Sequence, residues 1–407
     1  MNKLILLFVT LFTAVCCDAQ YKNDNILYRT VYTQDLCNEL QKQSGYLILD
    51  VRSPGEYADT SMMGMNIGRF KDAKNINVRE LGQHIAELAA YRNKPVFVYC
   101  SHSQRSRRAS KMLADSGFTN VININGGMTG ILQLPGAGNE CVFKQLTTKN
   151  NFSMISAEDL CSKLSKNSSK VYVLDVRDDS SYRHISTDAR ANAYGSFKNV
   201  PHMSVEEMQA RKGNIPKDKE IVLIDLWGDE ATKAAEILKQ NNYANVSVLV
   251  EGIDRMLQIN NDDLSCMTTE YVSPAKFKII SAQQLKSVVG SKDDYLFLDI
   301  RSKEEFANKH KNSWQNLGHL LYAVNVPTSD LEQQIGTLEQ YKTIPVIVYG
   351  FGNSTTTYEA ANILVARGFT NVSVLQGGIF NVGWTAANIK GYSSLAALRV
   401  DVPAENQ

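Results

Sequence analysis

A single cysteine, Cys100, stands where an apolar run meets a polar loop, and the residues around it suit nucleophilic chemistry. The run before it, Pro95 to Tyr99, is short and rich in β-branched and aromatic residues, which predicts a buried strand. The segment from Gln104 to Ser116 has the apolar spacing of a helix, and Gly117 ends it. Cys100 is therefore expected at the carboxyl end of a strand, facing the amino end of a helix.

The loop between this strand and this helix has the groups needed to stabilise a negative charge. Its unpaired backbone amides, the helix dipole and the Arg105 guanidinium should together favour the thiolate form of Cys100. Such a sulfur in an anion-binding loop is suited to sulfur transfer or to phosphoryl transfer. The residues expected to contact substrate are the other members of the loop: Ser101, His102, Ser103, Gln104 and Ser106. The basic residues expected to face water are Arg105, Arg107, Arg108 and Lys111.

The first 19 residues have the features of a secretory signal peptide. Lys3 supplies the positive charge, Leu4 to Val15 is an apolar stretch too short to span a bilayer, and Cys17-Asp18-Ala19 offers a cleavage site before Gln20. The less favoured alternative is a lipoprotein anchored through Cys16 or Cys17. The mature protein is therefore expected to be soluble and exported, either periplasmic or secreted.

Composition excludes two classes of partner. The chain has 407 residues and a formal net charge of +1, with no basic block or stripe, so neither nucleic acid nor an acidic surface is an expected partner. No apolar run after the signal peptide approaches membrane length, and no membrane span is predicted. No spacing of histidines or cysteines is typical of a metal site, and no metal or other cofactor is expected.

Internal repetition sets the domain count. The strand that ends Asp50-Val51-Arg52 returns at Asp175-Val176-Arg177 and at Asp299-Ile300-Arg301, about 125 residues apart each time. In each unit apolar strands alternate with helices, which predicts an α/β fold with a parallel sheet and helices on both faces. The expected boundaries are 1–19 for the signal peptide, 20–145, 150–268 and 272–397 for the three units, and 398–407 for a C-terminal tail.

The second and third units separate structural residues from chemical ones. Cys100 is replaced by Asp225 and by Gly350, and neither loop contains the arginine, so both units are expected to be inactive. Asp50 and Arg52 recur in all three units, including the two that lack a nucleophile. Their expected role is therefore to tie the strand end to its neighbours.

Five cysteines remain once the signal peptide is removed, and four of them occupy equivalent places. Cys37 matches Cys161, and Cys141 matches Cys266, while the third unit has lost both members together. This pattern predicts the disulfides Cys37–Cys141 and Cys161–Cys266, in keeping with export. The alternative is buried free thiols. Under the disulfide hypothesis Cys100 is the only reactive thiol.

The chain resembles the rhodanese family, as a tandem of three rhodanese-like domains. The matching segments of the first unit are Asp50-Val51-Arg52 with Glu56-Tyr57, the loop from Cys100 to Ser106, and Asn125-Gly126-Gly127. The matching segments of the other units are His184-Ile185, Asn199-Val200-Pro201, Glu305-Phe306 and Gly318 to Pro327. The resemblance implies that Cys100 takes a sulfane sulfur from a small donor such as thiosulfate, holds it as a persulfide and passes it to cyanide, a thiol or a protein acceptor. The Arg105 guanidinium would stabilise the negative charge of the reacting sulfur and of the leaving anion.

Several alternatives stay open beside this one. Similar cysteine-dependent phosphatases have five residues between cysteine and arginine, whereas Cys100 and Arg105 enclose four, which fits a single sulfur atom better than a phosphate. A non-catalytic binding or scaffold protein and a thiol redox relay are the other candidates. Many loops of this family have glycine at the position of Ser103, and His102 could either tune the thiolate or be a solvated loop residue. By analogy with two-domain members, the second unit would wall the Cys100 pocket.

Overall fold

The computed structural model describes residues 21–166, 169–259, 264–288 and 295–406. The predicted signal peptide, with Cys16 and Cys17, lies outside these ranges. Among the helices described, none has the length and hydropathy needed to cross a bilayer.

The first unit contains seven strands and six α-helices within residues 29–147. The strands are β1 (Arg29–Val31), β2 (Leu47–Asp50), β3 (Arg69–Phe70), β4 (Lys74–Asn75), β5 (Val96–Tyr99), β6 (Val121–Ile124) and β7 (Leu146–Thr147). The α-helices are α1 (Leu36–Lys42), α2 (Pro54–Tyr57), α3 (Leu81–His84), α4 (Gln104–Asp115), α5 (Gly127–Leu132) and α6 (Glu140–Phe143). Short 3-10 helices span Thr33–Asp35, Met63–Met65 and Ile85–Tyr91.

The second unit, within residues 153–272, follows a similar order, with an isolated bridge between Asp175 and His202 in place of the strand pair β2–β4. Its strands are β8 (Ser153–Ile155), β9 (Val171–Asp175), β10 (Ser196–Phe197), β11 (Glu220–Ile224), β12 (Val246–Leu249) and β13 (Tyr271–Val272). Its α-helices are α7 (Ala157–Lys166), α8 (Asp179–Tyr182), α9 (Ala189–Ala193), α10 (Val205–Arg211), α11 (Asp229–Gln240), α12 (Gly252–Met256) and α13 (Ser265–Thr269). A 3-10 helix spans Lys212–Asn214.

The third unit follows within residues 278–406. Its strands are β14 (Lys278–Ile280), β15 (Leu296–Asp299), β16 (His319–Leu320), β17 (Val324–Asn325), β18 (Val346–Tyr349), β19 (Val372–Leu375) and β20 (Arg399–Val400). Its α-helices are α14 (Leu285–Val288), α15 (Lys303–Phe306), α16 (Thr328–Gln334), α17 (Thr355–Ala366) and α18 (Gly378–Asn388). Short 3-10 helices span Ser313–Gln315, Ile335–Tyr341, Ser393–Leu398 and Ala404–Asn406.

Each unit is built on one parallel sheet, as predicted. The strand orders are β1-β6-β5-β2-β4, β8-β12-β11-β9 and β14-β19-β18-β15-β17. Side chains of β5 alternate between two apolar clusters, because Val96 and Val98 pack on the side of α4 whereas Phe97 and Tyr99 pack on the side of α1 and α5. The α/β architecture with helices on both faces is therefore confirmed.

A second, antiparallel pair of strands closes each unit beyond the ends expected from the sequence. β3 pairs with β7, β10 pairs with β13 and β16 pairs with β20. Part of the segment expected to be a C-terminal tail is thus β20, which is paired with the third unit.

The recurring aspartate and arginine form a buried ion pair at the end of the second long strand of each unit. In the first unit the Arg52 Nη2 lies 2.7 Å from the Asp50 Oδ2 and also donates to the Gly68 carbonyl at 2.8 Å. The same pairs form between Arg177 and Asp175 and between Arg301 and Asp299. The pair occurs in units with and without a nucleophile, as its structural role requires.

The structure corrects one expectation for α4. Arg107 was expected to face water but is only 5% exposed. Its guanidinium contacts Asp24 and donates to the Asn125 Oδ1 at 2.5 Å and to the Ala387 carbonyl at 3.1 Å. The reason is that α18 of the third unit packs on this face of α4, which the amphipathic pattern of one helix does not show.

The structure joins the two cysteine pairs that the repeats predict. Cys37 is bonded to Cys141 with the Cα atoms 6.0 Å apart, and Cys161 is bonded to Cys266 with the Cα atoms 4.9 Å apart. Each bond fixes the first helix of a unit to its exit segment. Cys100 is the free cysteine of the described residues.

The double variant Cys37→Ser, Cys141→Ser should fold but unfold more easily, because the bond closes a loop spanning 104 residues. On the chain-entropy model the free energy of unfolding should fall by up to ~4.7 kcal/mol, measured by urea titration. Peptide mapping without reductant is the control, and alkylation of Cys37 in the wild-type protein would contradict the bond.

Candidate active site

Cys100 lies at the carboxyl end of β5, one residue before the loop that leads into α4. Its side chain is 1% exposed, and its Sγ accepts a hydrogen bond from the backbone N–H of Ser103 at 3.2 Å. Ser103 has a φ of +84°, the left-handed conformation that turns its amide towards the sulfur. The equivalent residue of the second unit is Gly228, with a φ of +96°.

The rest of the loop is anchored on the neighbouring turn. The Cys100 carbonyl accepts from the Met128 N–H at 2.9 Å, and the Ser101 carbonyl accepts from the Thr129 N–H at 3.1 Å. A Cβ at Gly127 would overlap both carbonyl oxygens, so this close approach requires glycine. These two hydrogen bonds fix the start of the loop to α5.

Two serines of the loop are buried beside the sulfur. The Ser106 Oγ lies 3.7 Å from the Cys100 Sγ and 2.7 Å from the Asn123 Oδ1. The Ser103 Oγ accepts from the Gly126 N–H at 2.5 Å. Hydrogen bonds to buried partners therefore hold this side of the loop in one conformation.

Arg105 has a partner that the sequence analysis did not identify. Its two terminal nitrogens each donate to one oxygen of Glu56 at 2.7 Å, and Nη2 also donates to the Ser101 Oγ at 2.8 Å. Glu56 is buried at the start of α2, where Ser53 and Glu56 form a capping box. The signal in the sequence was the Ser-Pro-Gly-Glu segment, which predicts a helix start but not its contact with Arg105.

The pairing changes the acidity of Glu56. Burial by itself raises the pKa of this carboxyl, but hydrogen bonds from Arg105 and Ser53 outweigh burial and lower the pKa to about 2. Glu56 is therefore ionised at neutral pH, and it holds the Arg105 guanidinium in a fixed, bidentate geometry beside the cysteine loop.

The second unit holds a different side chain in the same loop. The Asp225 Oδ1 accepts from the Gly228 N–H at 2.7 Å, and its Oδ2 accepts from the Ala231 N–H at 3.1 Å. Burial, assisted by the nearby Glu230 and opposed by the two amide hydrogen bonds, raises the pKa of Asp225 to about 8. A carboxyl group thus occupies the position that the sulfur has in the first unit, and Glu230 stands where Arg105 would be.

The third unit leaves the position without a nucleophile. A Cβ at Gly350 would lie 2.8 Å from the Thr357 Oγ1, so the hydroxyl takes up the space of a side chain. Glu305 keeps its place in a capping box with Ser302, but the loop offers it no arginine. Of the three loops, only that of Cys100 combines a thiol with a paired guanidinium.

His102 and Gln104 are the loop residues that face outward. The His102 side chain is 50% exposed, and its Nε2 lies 2.7 Å from the Glu251 Oε1 of the second unit. Its carbonyl accepts from the Trp384 Nε1 of the third unit at 3.0 Å. His102 is thus a half-exposed loop residue that also contacts Glu251 of the second unit, and its role in tuning the thiolate stays a prediction.

A cavity of about 480 Å³ lies where the three units meet. The first unit contributes His102 and Gln104, and carboxyl-end loops together with helices α12 and α18 of the other two units provide the remaining walls. The second and third units both border the loop that follows Cys100, through Glu251 and Trp384, while Cys100 itself does not line this cavity. Sequence reasoning missed the third unit because nothing in the repeat pattern indicates how the units pack.

The rhodanese-like domain family model matches three stretches of the chain, residues 33–134, 156–258 and 281–386. Curated relatives match single units. The uncharacterized protein YqhL of Bacillus subtilis is 33% identical over 103 residues, which cover 24% of this chain and 74% of YqhL. A tRNA uridine(34) hydroxylase of Pelagibacter ubique is 32% identical over 99 residues, which cover 24% of this chain and 30% of the hydroxylase.

Two solved structures illustrate the range of structural matches. A rhodanese-related protein from Thermoplasma volcanium is 29% identical and covers 26% of this chain and 90% of its own, with a TM-score of 0.21. A thiosulfate sulfurtransferase from Pseudomonas aeruginosa is 16% identical and covers 86% of this chain and 66% of its own, with a TM-score of 0.23.

The low pKa of Glu56 predicts a contribution to acid stability. The carboxyl is more acidic in the folded state, so the ionised pair stabilises the protein above about pH 4.5, and the stabilisation is lost as pH falls through about 2. Its full size should be about 3 kcal/mol. Wild type should exceed Glu56→Gln in unfolding free energy at neutral pH, and the two urea-unfolding curves should converge on acidification. A constant difference down to about pH 2 would contradict the assigned pKa.

Proposed function

This chain belongs to the rhodanese-like domain family, and we propose that it is a sulfurtransferase whose first unit carries a sulfane sulfur on Cys100. The observation that supports this proposal best is the loop itself. An inward amide of Ser103 and a fixed guanidinium of Arg105 accompany the thiol in the first unit alone among the three loops. The other units would then shape and close the site.

In the proposed loading step the Cys100 thiolate attacks the outer sulfur of thiosulfate. A bond forms between the Cys100 Sγ and that sulfur, the sulfur–sulfur bond of thiosulfate breaks, and its electron pair leaves with sulfite. The charge on Cys100 passes to the outer sulfur of the persulfide. The Ser103 N–H and the Arg105 guanidinium stabilise the charges on the protein and on the departing anion.

In the discharge step a thiophilic acceptor, cyanide or a thiol, attacks the outer sulfur and regenerates the Cys100 thiolate. The Ser103 N–H, 3.2 Å from the Cys100 Sγ, holds the returning charge. No cofactor enters either step, because the transferred sulfur brings its own reactivity.

Substrate must reach a sulfur that is 1% exposed in the resting structure. We place the entrance at Ser101 and Arg105, because both are partly exposed whereas Ser103 and Ser106 are buried. The Arg105 side chain, 33% exposed and held by Glu56, would border this entrance together with Ser101.

We further propose export to an oxidising compartment, the periplasm or the exterior. One disulfide lies within each of the first two units, and disulfides persist in compartments where thiols are not kept reduced. Cys100 would then be protected from oxidation by its persulfide state or by a reducing partner.

Replacement of the nucleophile should abolish the activity. Cys100→Ser should form no thiocyanate from thiosulfate and cyanide, and mass spectrometry should find a bound sulfur atom on wild-type Cys100 only. Arg105→Lys should reduce the rate about 10²-fold, because lysine cannot bind both oxygens of Glu56 and keep its charge in place.

Asp225→Asn is the matched control, since it changes the equivalent position of the second unit without adding a thiol. Its rate should equal that of wild type.

The competing function, a non-catalytic scaffold, is favoured by the burial of Cys100. Equal thiocyanate formation by wild type and Cys100→Ala would establish it and contradict the sulfurtransferase proposal.

A further inference from the structure

Arg399 is a charged residue at a position where the sister units have uncharged ones. In the antiparallel pair of strands that closes the third unit, Arg399 of β20 is the register partner of Leu320. The corresponding residues of the other two closing pairs are Leu146 in β7 and Tyr271 in β13. Among the three units, therefore, only the third places a positive charge at this position.

Helix α18 of the third unit has the residue that makes room for this charge. A Cβ at Gly383 would overlap the Arg399 Nη1, so the guanidinium lies where a side chain of the helix would be. At the same distance from the preceding glycine turn, the first unit has Leu132 and the second has Leu257. Glycine is unfavourable in the interior of a helix. Two departures from the repeat, an arginine and a glycine, thus fit each other.

The Arg399 guanidinium has few partners in the protein. Its Nη2 donates to the Leu317 carbonyl at 3.2 Å, whereas its Nε is buried without a hydrogen-bond partner. The described side chains give it no carboxylate partner. Burial lowers the pKa of the guanidinium, nearby Tyr21 opposes this shift, and Arg301 adds to it. Because arginine stays charged in proteins, a partly buried guanidinium without a counter-ion would be stabilised by a bound anion.

A cavity of about 440 Å³ lies against Arg399, and its volume falls within the range of small-molecule sites. Of the described residues that line it, Arg399 alone carries a full charge. The aromatic side chains that line it are Tyr21, Trp314, Phe351, Phe380 and Trp384. The cavity therefore combines one cation with mostly aromatic surroundings.

Three of these side chains, Trp314, Phe351 and Phe380, form an aromatic wall in the third unit. The Phe351 ring centroid lies 5.3 Å from that of Trp314 and 5.9 Å from that of Phe380. Trp314 is 59% exposed and Phe380 is 36% exposed, so both rings are accessible to a ligand. Such rings stack on flat, apolar molecules. Phe351 directly follows Gly350, so the wall stands beside the position where the third unit lacks a nucleophile.

We propose that the third unit binds an aromatic monocarboxylate, with its ring on the aromatic wall and its carboxylate on Arg399. One fixed cation balances one negative charge, whereas the second charge of a divalent anion would stay unpaired among aromatic side chains. The inference goes beyond the proposed sulfur transfer and does not rest on it, because neither Cys100 nor Arg105 lines this cavity. It assigns to the third unit a ligand site of its own.

The test measures binding to the full chain by isothermal titration calorimetry with two probes that share one ring system. 2-Naphthoate carries the carboxylate, and 2-naphthamide is its neutral counterpart. Wild type should bind naphthoate at least about tenfold more tightly than naphthamide, because hydrogen bonds between two charged groups are the stronger ones. Arg399→Met removes the charge and should weaken naphthoate binding at least about tenfold, while naphthamide binding should stay within about twofold.

Two arginine variants serve as controls. Arg367→Met makes the same change in charge at a site of the third unit that is 47% exposed, and it should bind both probes as wild type does. Arg105→Met removes the guanidinium beside Cys100 and should also leave naphthoate binding unchanged. The second control separates the cavity at Arg399 from the anion-binding loop of the first unit.

A fourth variant tests the aromatic wall without any change at Arg399. The exposed position of Trp314 should allow Trp314→Ala to fold. Loss of the stacking surface should weaken the binding of naphthoate and naphthamide alike, by about fivefold.

Equal affinity of wild type for the two probes would overturn the inference, and so would an absence of naphthoate binding at about 1 mM. Loss of naphthoate binding in Arg105→Met, with binding retained in Arg399→Met, would also overturn it. Unchanged affinity in Trp314→Ala would do the same even if Arg399→Met failed to fold. The thiocyanate assay and the mass of Cys100 test the proposed sulfur transfer separately, so failure of one proposal leaves the other standing.

Discussion

A buried ion pair at the end of one strand is the interaction on which the site depends. Asp50 and Arg52 are fully buried, and removal of two charges from water is costly unless hydrogen bonds compensate. Here the guanidinium binds both carboxylate oxygens and the Gly68 carbonyl, so the strand end is fixed to the β3–β7 pair. Asp50 is also the register partner of Tyr99, the residue before Cys100. The cysteine loop therefore starts from a rigid edge.

The position of Cys100 at this edge holds a different residue in each of the three units. Loop amides bind the Cys100 sulfur in the first unit and the Asp225 carboxyl in the second, while Gly350 presents no side chain in the third. The fold thus supplies a loop whose amides donate to the acceptor atom at this position, whether that atom is sulfur or oxygen. What distinguishes the first unit is the thiol together with the Glu56–Arg105 pair, which adds a fixed positive charge beside it.

The second and third units have the same fold as the first but no thiol at this position, and their contacts join them to it. An apolar cluster runs continuously from the second unit into the third, and polar contacts of His102 and Arg107 join both to the first. The carboxyl-end loops of all three sheets consequently border one cavity.

The sequence by itself determined the three-fold repeat, the parallel sheets, the position of Cys100 after β5 and the cysteine pairs, because each follows from local periodicity or from comparison of one unit with another. Only the tertiary structure decided that Arg105 binds Glu56, that Arg107 is buried against α18, and that Glu251 reaches His102. These contacts join residues 49 to 280 positions apart. They depend on how loops and units pack, and the hydrophobic pattern of a single strand or helix contains no information about the surface that will cover it.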